Sequence, residues 1–157
     1  MEMDSKSIDA FYSLAEKYCA FITKTEISGE SVPALMELLM SLYISAQNLP
    51  DMEPETTDAS SFRNDVSIQI RIHEQISPFY WETPDPFVRE EPVCGCLADD
   101  LADIASDLQR GMREYNSENR GNAVFEWKFG LRSHWGSHAA DVLRVLHSIR
   151  RDETNRL

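Results

Sequence analysis

GCLADDLADIASDLQRGM (residues 95–112) and NAVFEWKFGLRSHWGSHAADVLRVLHSI (residues 122–149) decide the fold. At about 100° per residue, Leu97, Leu101, Ile104, Leu108 and Met112 of the first stretch fall on one stripe, the mark of a helix with one buried face. Ala98, Ala102 and Ala105 make one flank small, and Asp100, Asp103 and Asp107 make the other acidic. Cys96 stands at the helix start, where it caps poorly, so Asp99 and Asp100 favour the first turn through the helix dipole. In the second stretch Trp127, Leu131, Trp135, Val142, Val145 and Ile149 define the apolar stripe. His138 projects into the middle of it, with His134 and Asp141 along one edge. A buried imidazole needs hydrogen-bond partners, and the acidic flank of the preceding helix is the nearest supplier. The spacing predicts helices over 96–115 and 120–150, the second acting as a long spine that bends, if anywhere, at Gly130 or Gly136.

Working outward, Ile8, Phe11, Ala15, Tyr18 and Ile22 predict a helix over 7–24, with Ser7 available as a cap. Val32, Leu35, Leu38, Leu39, Leu42 and Ala46 predict another over 31–48, opened by Ser31 with Pro33 in its first turn and closed before Pro50. Residues 51–61 are polar and acidic and read as an exposed loop. Val66, Ile68, Ile70 and Ile72 alternate like a strand, yet Phe62, Val66, Ile70, His73 and Ile76 also fit a helix. No second strand-like run is there to pair with it, so a helix over 62–77 is expected. Residues 78–94 hold four of the seven prolines together with Phe79, Tyr80, Trp81 and Phe87. They read as an irregular strap, favoured as a packed cover with Trp81 buried over the alternative of a lid. The fold class is all-α: a single-domain antiparallel bundle of about five helices spanning residues 1–157.

Composition excludes several functions. The net charge is −12, with 27 acidic against 15 basic residues, so neither nucleic acid nor an anionic membrane is an expected partner. No apolar run approaches the ~20 residues of a membrane span, and the N-terminus lacks the basic and apolar segments of a secretory signal. Cys19, Cys94 and Cys96 do not suggest a disulfide framework, and the cytoplasm is the expected address.

Three constellations could carry chemistry. His134 and His138, spaced i, i+4, can present two imidazoles to one metal, with a third ligand from Asp100, Asp103, Asp107 or His73. Trp135 replaces the glutamate of the zinc-protease pattern, however, and no Glu-x-x-His pair occurs. The favoured reading is structural: histidines bonded to carboxylates that orient two helices. The Asp100/Asp103/Asp107 series could take Mg²⁺, but Arg132, Arg144 or the histidines can satisfy it. Cys94 and Cys96 form a half-site without a second pair, and ordinary thiols are expected.

Tyr80-Trp81-Glu82 with Asp85-Pro86, Glu90-Glu91-Pro92-Val93, Leu97-Ala98-Asp99-Asp100-Leu101-Ala102-Asp103-Ile104, and His134-Trp135-Gly136 with His138-Ala139 and Asp141 together resemble a bacterial family, domain of unknown function 5063. Tyr18-Cys19 and Leu42-Tyr43 with Leu49-Pro50 extend the likeness over the whole chain. Cys96 departs from it, at a cap where the family has serine. The resemblance implies a helical bacterial protein and no activity. With no recognised catalytic motif, the first expectation is a non-enzymatic cytoplasmic protein acting through a protein partner. The alternative is a metal- or small-ligand-binding helical enzyme using His134, His138, Asp100, Asp103, Asp107 and Asp141 beneath a strap carrying Trp81. No cofactor is expected; a divalent metal is the one candidate, held by His134, His138 and Asp103.

Overall fold

A computed structural model describes residues 5–54 and 68–154 of the chain. Helix α1 (Ser5–Lys24) buries Ile8, Phe11, Ala15, Tyr18 and Ile22, one residue per turn along a single face. The hydroxyl of Tyr18, deep in the core, donates to the Leu101 carbonyl at 3.0 Å, which allows a phenol to be buried there. Helix α2 (Val32–Gln47) lays Val32, Leu35, Leu39, Leu42 and Ala46 beside it. Ser31 does not cap α2 with its side chain; its Oγ accepts from the Ser28 amide and donates to the Glu26 carbonyl, tightening the turn between the helices.

The next described segment corrects an expectation. Residues 68–77 form no helix, and residues 62–67 of the expected 62–77 helix lie outside the described part. Ile72 instead pairs in parallel with Ile27 just beyond α1, through Ile27 N to Arg71 O at 2.8 Å and His73 N to Ile27 O at 2.9 Å. A single residue in a loop supplies the edge that the alternating isoleucines needed, so no second strand-like run was required. Ile68, Ile70, Ile72 and Ile76 pack on the core while Arg71 donates to the Lys24 carbonyl at the end of α1.

The strap is not irregular throughout. Strands β1 (Phe79–Glu82) and β2 (Val93–Cys96) pair antiparallel, Phe79 with Cys96, Tyr80 with Gly95, Trp81 with Cys94 and Glu82 with Val93. This two-stranded hairpin is a small addition to a mostly helical domain. Alternation along β1 sends Tyr80 and Glu82 toward the helices and Phe79 and Trp81 outward. Phe79 is 62% exposed, Trp81 69% and Phe87 95%, so the expectation of a packed aromatic cover fails at all three and holds only at Tyr80.

Strand β2 runs directly into α3 (Leu97–Asn116), which packs against α1, α4 (Arg120–Ser133) and α5 (Trp135–Thr154). Cys96 makes no side-chain cap bond, and Asp99 and Asp100 occupy the first turn. Asn119 caps α4 by accepting from the Asn122 amide. The expected continuous helix 120–150 is broken at His134 (φ −150°, ψ −79°), between the two glycines rather than at either. A Cβ on Gly136 would stand 2.1 Å from the Leu131 carbonyl oxygen, so glycine lets α5 begin against the last turn of α4. Trp127 and Trp135 are fully buried on either side of the break, their indole nitrogens donating to Leu108 and Trp127 carbonyls at 3.0 Å. Among the described residues no helix is long and apolar enough to cross a membrane.

Candidate metal centre

Breaking α4 from α5 shapes the site. His134 caps the C-terminus of α4 and His138 sits in the first turn of α5, so the two rings meet across a turn, not along one helix. Their planes stand at 83° with centroids 4.7 Å apart. Each Nδ1 faces an aspartate of α3: His134 meets Asp107 Oδ2 at 2.8 Å and His138 meets Asp100 Oδ1 at 2.8 Å. Asp100 and Asp107 are both buried. A carboxylate opposite Nδ1 accepts a hydrogen bond from the N–H there and so leaves the Nε2 lone pair free.

Those two Nε2 atoms face each other at 3.3 Å. Asp103 Oδ2 lies 3.7 Å from His138 Nε2, and the ligand atoms of Asp103, His134 and His138 all fall within 4.8 Å of one another. Two lone pairs pointed together repel, so the arrangement is satisfied by a proton between the rings or by a cation. Zinc–nitrogen bonds of about 2.0–2.1 Å at a tetrahedral angle would put two ring nitrogens about 3.3–3.4 Å apart, whereas a right angle would need about 2.9 Å. The observed gap also leaves no room for a substrate atom between a general acid and a general base, which each need about 2.6–3.2 Å.

Electrostatics favour positive charge. Asp100 first, and then Asp103 and Glu82, raise the His138 pKa above its ordinary value against the opposing effect of burial. Burial raises the carboxyl of Asp141, one turn further along α5, and Glu82 adds to it. Arg144 donates to the Trp81 carbonyl at 2.7 Å, while Arg110 reaches the edge of the site, 3.7 Å from Asp107 and 3.8 Å from Glu126. Arg132, which could have satisfied the α3 acids, pairs with Asp51 instead.

Of the residues singled out in the sequence, Asp100, Asp103, Asp107, His134 and His138 come together. Asp141 lies alongside, close enough to feel Glu82 and Asp100. Trp81 turns its ring away and reaches the site's edge only through its backbone. His138 is not in the middle of the core stripe; it keeps a quarter of its side chain exposed, and His134 keeps half. His73 stands apart, on an open cavity of about 430 Å³ with Ser77, Phe79, Val145 and Ile149. The sequence reads Tyr80 as part of the strap and not as a site residue, yet its hydroxyl donates to Asp100 Oδ2 and lies 3.2 Å from Glu82 Oε2. Burial, then Asp100, push that hydroxyl far above its ordinary range, so it stays a donor. The signal that could have found it was strand alternation, since Tyr80 lies between two outward aromatics.

The family described as Domain of unknown function (DUF5063) matches residues 2–152. Among solved structures, protein BF1032 from Bacteroides fragilis is similar in fold, with a TM-score of 0.64 at 17% identity, over 96% of this chain and 99% of that one. No curated protein matches the chain.

Proposed function

The chain belongs to the DUF5063 family, whose description carries no activity, and from the site geometry we propose that it binds one zinc-class divalent ion through His134 Nε2, His138 Nε2 and the Asp103 carboxylate. One observation carries this reading: two imidazoles, each held at Nδ1 by a buried aspartate, present both Nε2 atoms 3.3 Å apart. Carboxylates behind metal-bound histidines fix the ring tautomer and raise its basicity. Asp103 and His134, each half exposed, leave the remaining position to solvent, as in zinc sites that act on substrates. An ion held there would supply Lewis acidity and lower the pKa of a bound water to about 7, the requirements of metal-assisted hydrolysis. The cytoplasmic address belongs to the same reading and is supported by three free thiols, Cys94 exposed. The test is elemental analysis of untagged protein, dialysed against chelator and reloaded with zinc. One equivalent retained by wild type and lost in His134→Ala and His138→Ala is expected; no retention by wild type refutes the proposal.

A second reading, contact with a protein partner, is favoured by the outer face of the hairpin. Phe79 and Trp81 are exposed there, and Phe87 and Val88 are exposed in the connecting loop. The same loop exposes three acids, Asp85, Glu90 and Glu91, against one cation, Arg89, so the fitting partner offers an apolar groove with a basic rim.

A further inference from the structure

Resting on the proposal that the centre takes a divalent ion, we infer that Tyr80 is a positioning residue of that centre, and that through it the ion and the β1–β2 hairpin stabilise one another. The two oxygens of Asp100 are divided between them. Oδ1 accepts from His138 Nδ1 and Oδ2 accepts from the Tyr80 hydroxyl, so two consecutive hydrogen bonds join the hairpin to a ligand ring.

Tyr80 is itself held from several sides. Its cross-strand partner is Gly95, where an added Cβ would stand 2.5 Å from the ring Cζ, so the ring lies flat across β2 only because residue 95 has no side chain. The Arg144 guanidinium is 5.7 Å from the ring centroid and also donates to the carbonyl of neighbouring Trp81. With the ring fixed by strand and helix, the hydroxyl fixes the rotation of the Asp100 carboxylate, which in turn aims His138 Nε2 at His134 and Asp103. Among the described residues the other pair is held differently: Asp107 has Arg110 at 3.7 Å where Asp100 has the Tyr80 hydroxyl. Removing the Tyr80 hydroxyl therefore loosens one ligand of the set. Groups that orient metal-bound histidines typically contribute about 10–100-fold in affinity. By linkage, whatever factor Tyr80 adds to ion affinity, the ion returns to hairpin docking.

Zinc titration of the untagged full chain, compared for wild type and Tyr80→Phe, tests this, together with amide hydrogen exchange over residues 79–96 with and without zinc. The expected result is binding at least about tenfold weaker in the variant, with zinc slowing hairpin exchange in wild type and not in the variant. Cobalt-loaded Tyr80→Phe should also show an altered visible spectrum, which a merely destabilised hairpin would not produce. Equal affinity and equal zinc protection in the two proteins overturn the role of Tyr80 and leave the metal centre standing, even if Tyr80→Phe melts earlier. A wild type that binds no zinc overturns both. Should Tyr80→Phe fail to fold, Gly95→Ala, which displaces the ring but keeps the hydroxyl, carries the same comparison with the same expected loss.

Discussion

His138 and His134 each present Nδ1 to a buried aspartate at 2.8 Å, yet the two pairs are held very differently. His138 is the more covered ring, and its aspartate is shared with Tyr80, so helix α5, helix α3 and strand β1 converge on one carboxylate. His134 is half exposed at a helix end, and its aspartate has Arg110 at 3.7 Å as its other neighbour. A hydrogen bond between the same two groups contributes more where losing it strands a buried partner than where water can replace it. The comparison assigns structural weight to His138 and accessibility to His134. One ring anchors the centre and the other opens it.

The largest expected effect separates the two rings. In the presence of chelator, His138→Ala is expected to destabilise the fold by about 2 kcal/mol and His134→Ala by about 1 kcal/mol or less, read from urea midpoints at constant slope. Equal losses would erase the distinction. The same experiment sharpens with pH. Asp100 and Asp103 from α3 and Glu82 from β1 raise the His138 pKa in the folded protein, with His134 across the turn and Asp141 on its own helix as the other titratable neighbours. Its contribution is then fully present below the unfolded value of about 6.5 and is lost as pH rises through the folded value. The stability gap between wild type and His138→Ala should be wider at pH 6 than at pH 9. A gap that widens toward alkaline pH contradicts the pairing.

A smaller effect concerns the hairpin's two faces. Trp81→Ala should change stability by no more than about 0.5–1 kcal/mol, because the side chain is 69% exposed. A loss of about 3–5 kcal/mol, the range for a buried tryptophan, would restore the packed cover expected from the sequence. If the outer face docks a basic partner, the same variant should lose that partner while keeping its melting temperature, and retained binding would exclude Trp81 from the contact.

Much of this was legible because helical periodicity is a local signal. Leu97, Leu101, Ile104 and Leu108 mark α3 without reference to anything distant, and the acids on its flank follow from the same count. The structure was harder to read where a partner residue decides it. Ile72 is extended because Ile27 pairs with it from more than forty positions away; the alternation of Ile68, Ile70 and Ile72 hints at a strand, but nothing in residues 68–77 names that partner. Trp81 looked like core by size, but alternation in a hairpin whose second strand contains Cys94, Gly95 and Cys96 turns it to solvent. The break at His134 depends on backbone crowding between Gly136 and Leu131, which composition does not show. The histidines therefore come together by a different route from the i, i+4 helix face that first suggested them.

The central claim is that one ion sits between the two Nε2 atoms while both Nδ1 atoms remain protonated against aspartates. Nitrogen-15 NMR of the histidine rings, recorded before and after one equivalent of zinc, measures this directly. The account predicts that His134 Nε2 and His138 Nε2 shift together and saturate at one equivalent, while both Nδ1 signals keep their protons. Zinc-induced change at either Nδ1, change at only one ring, or none at all would contradict it.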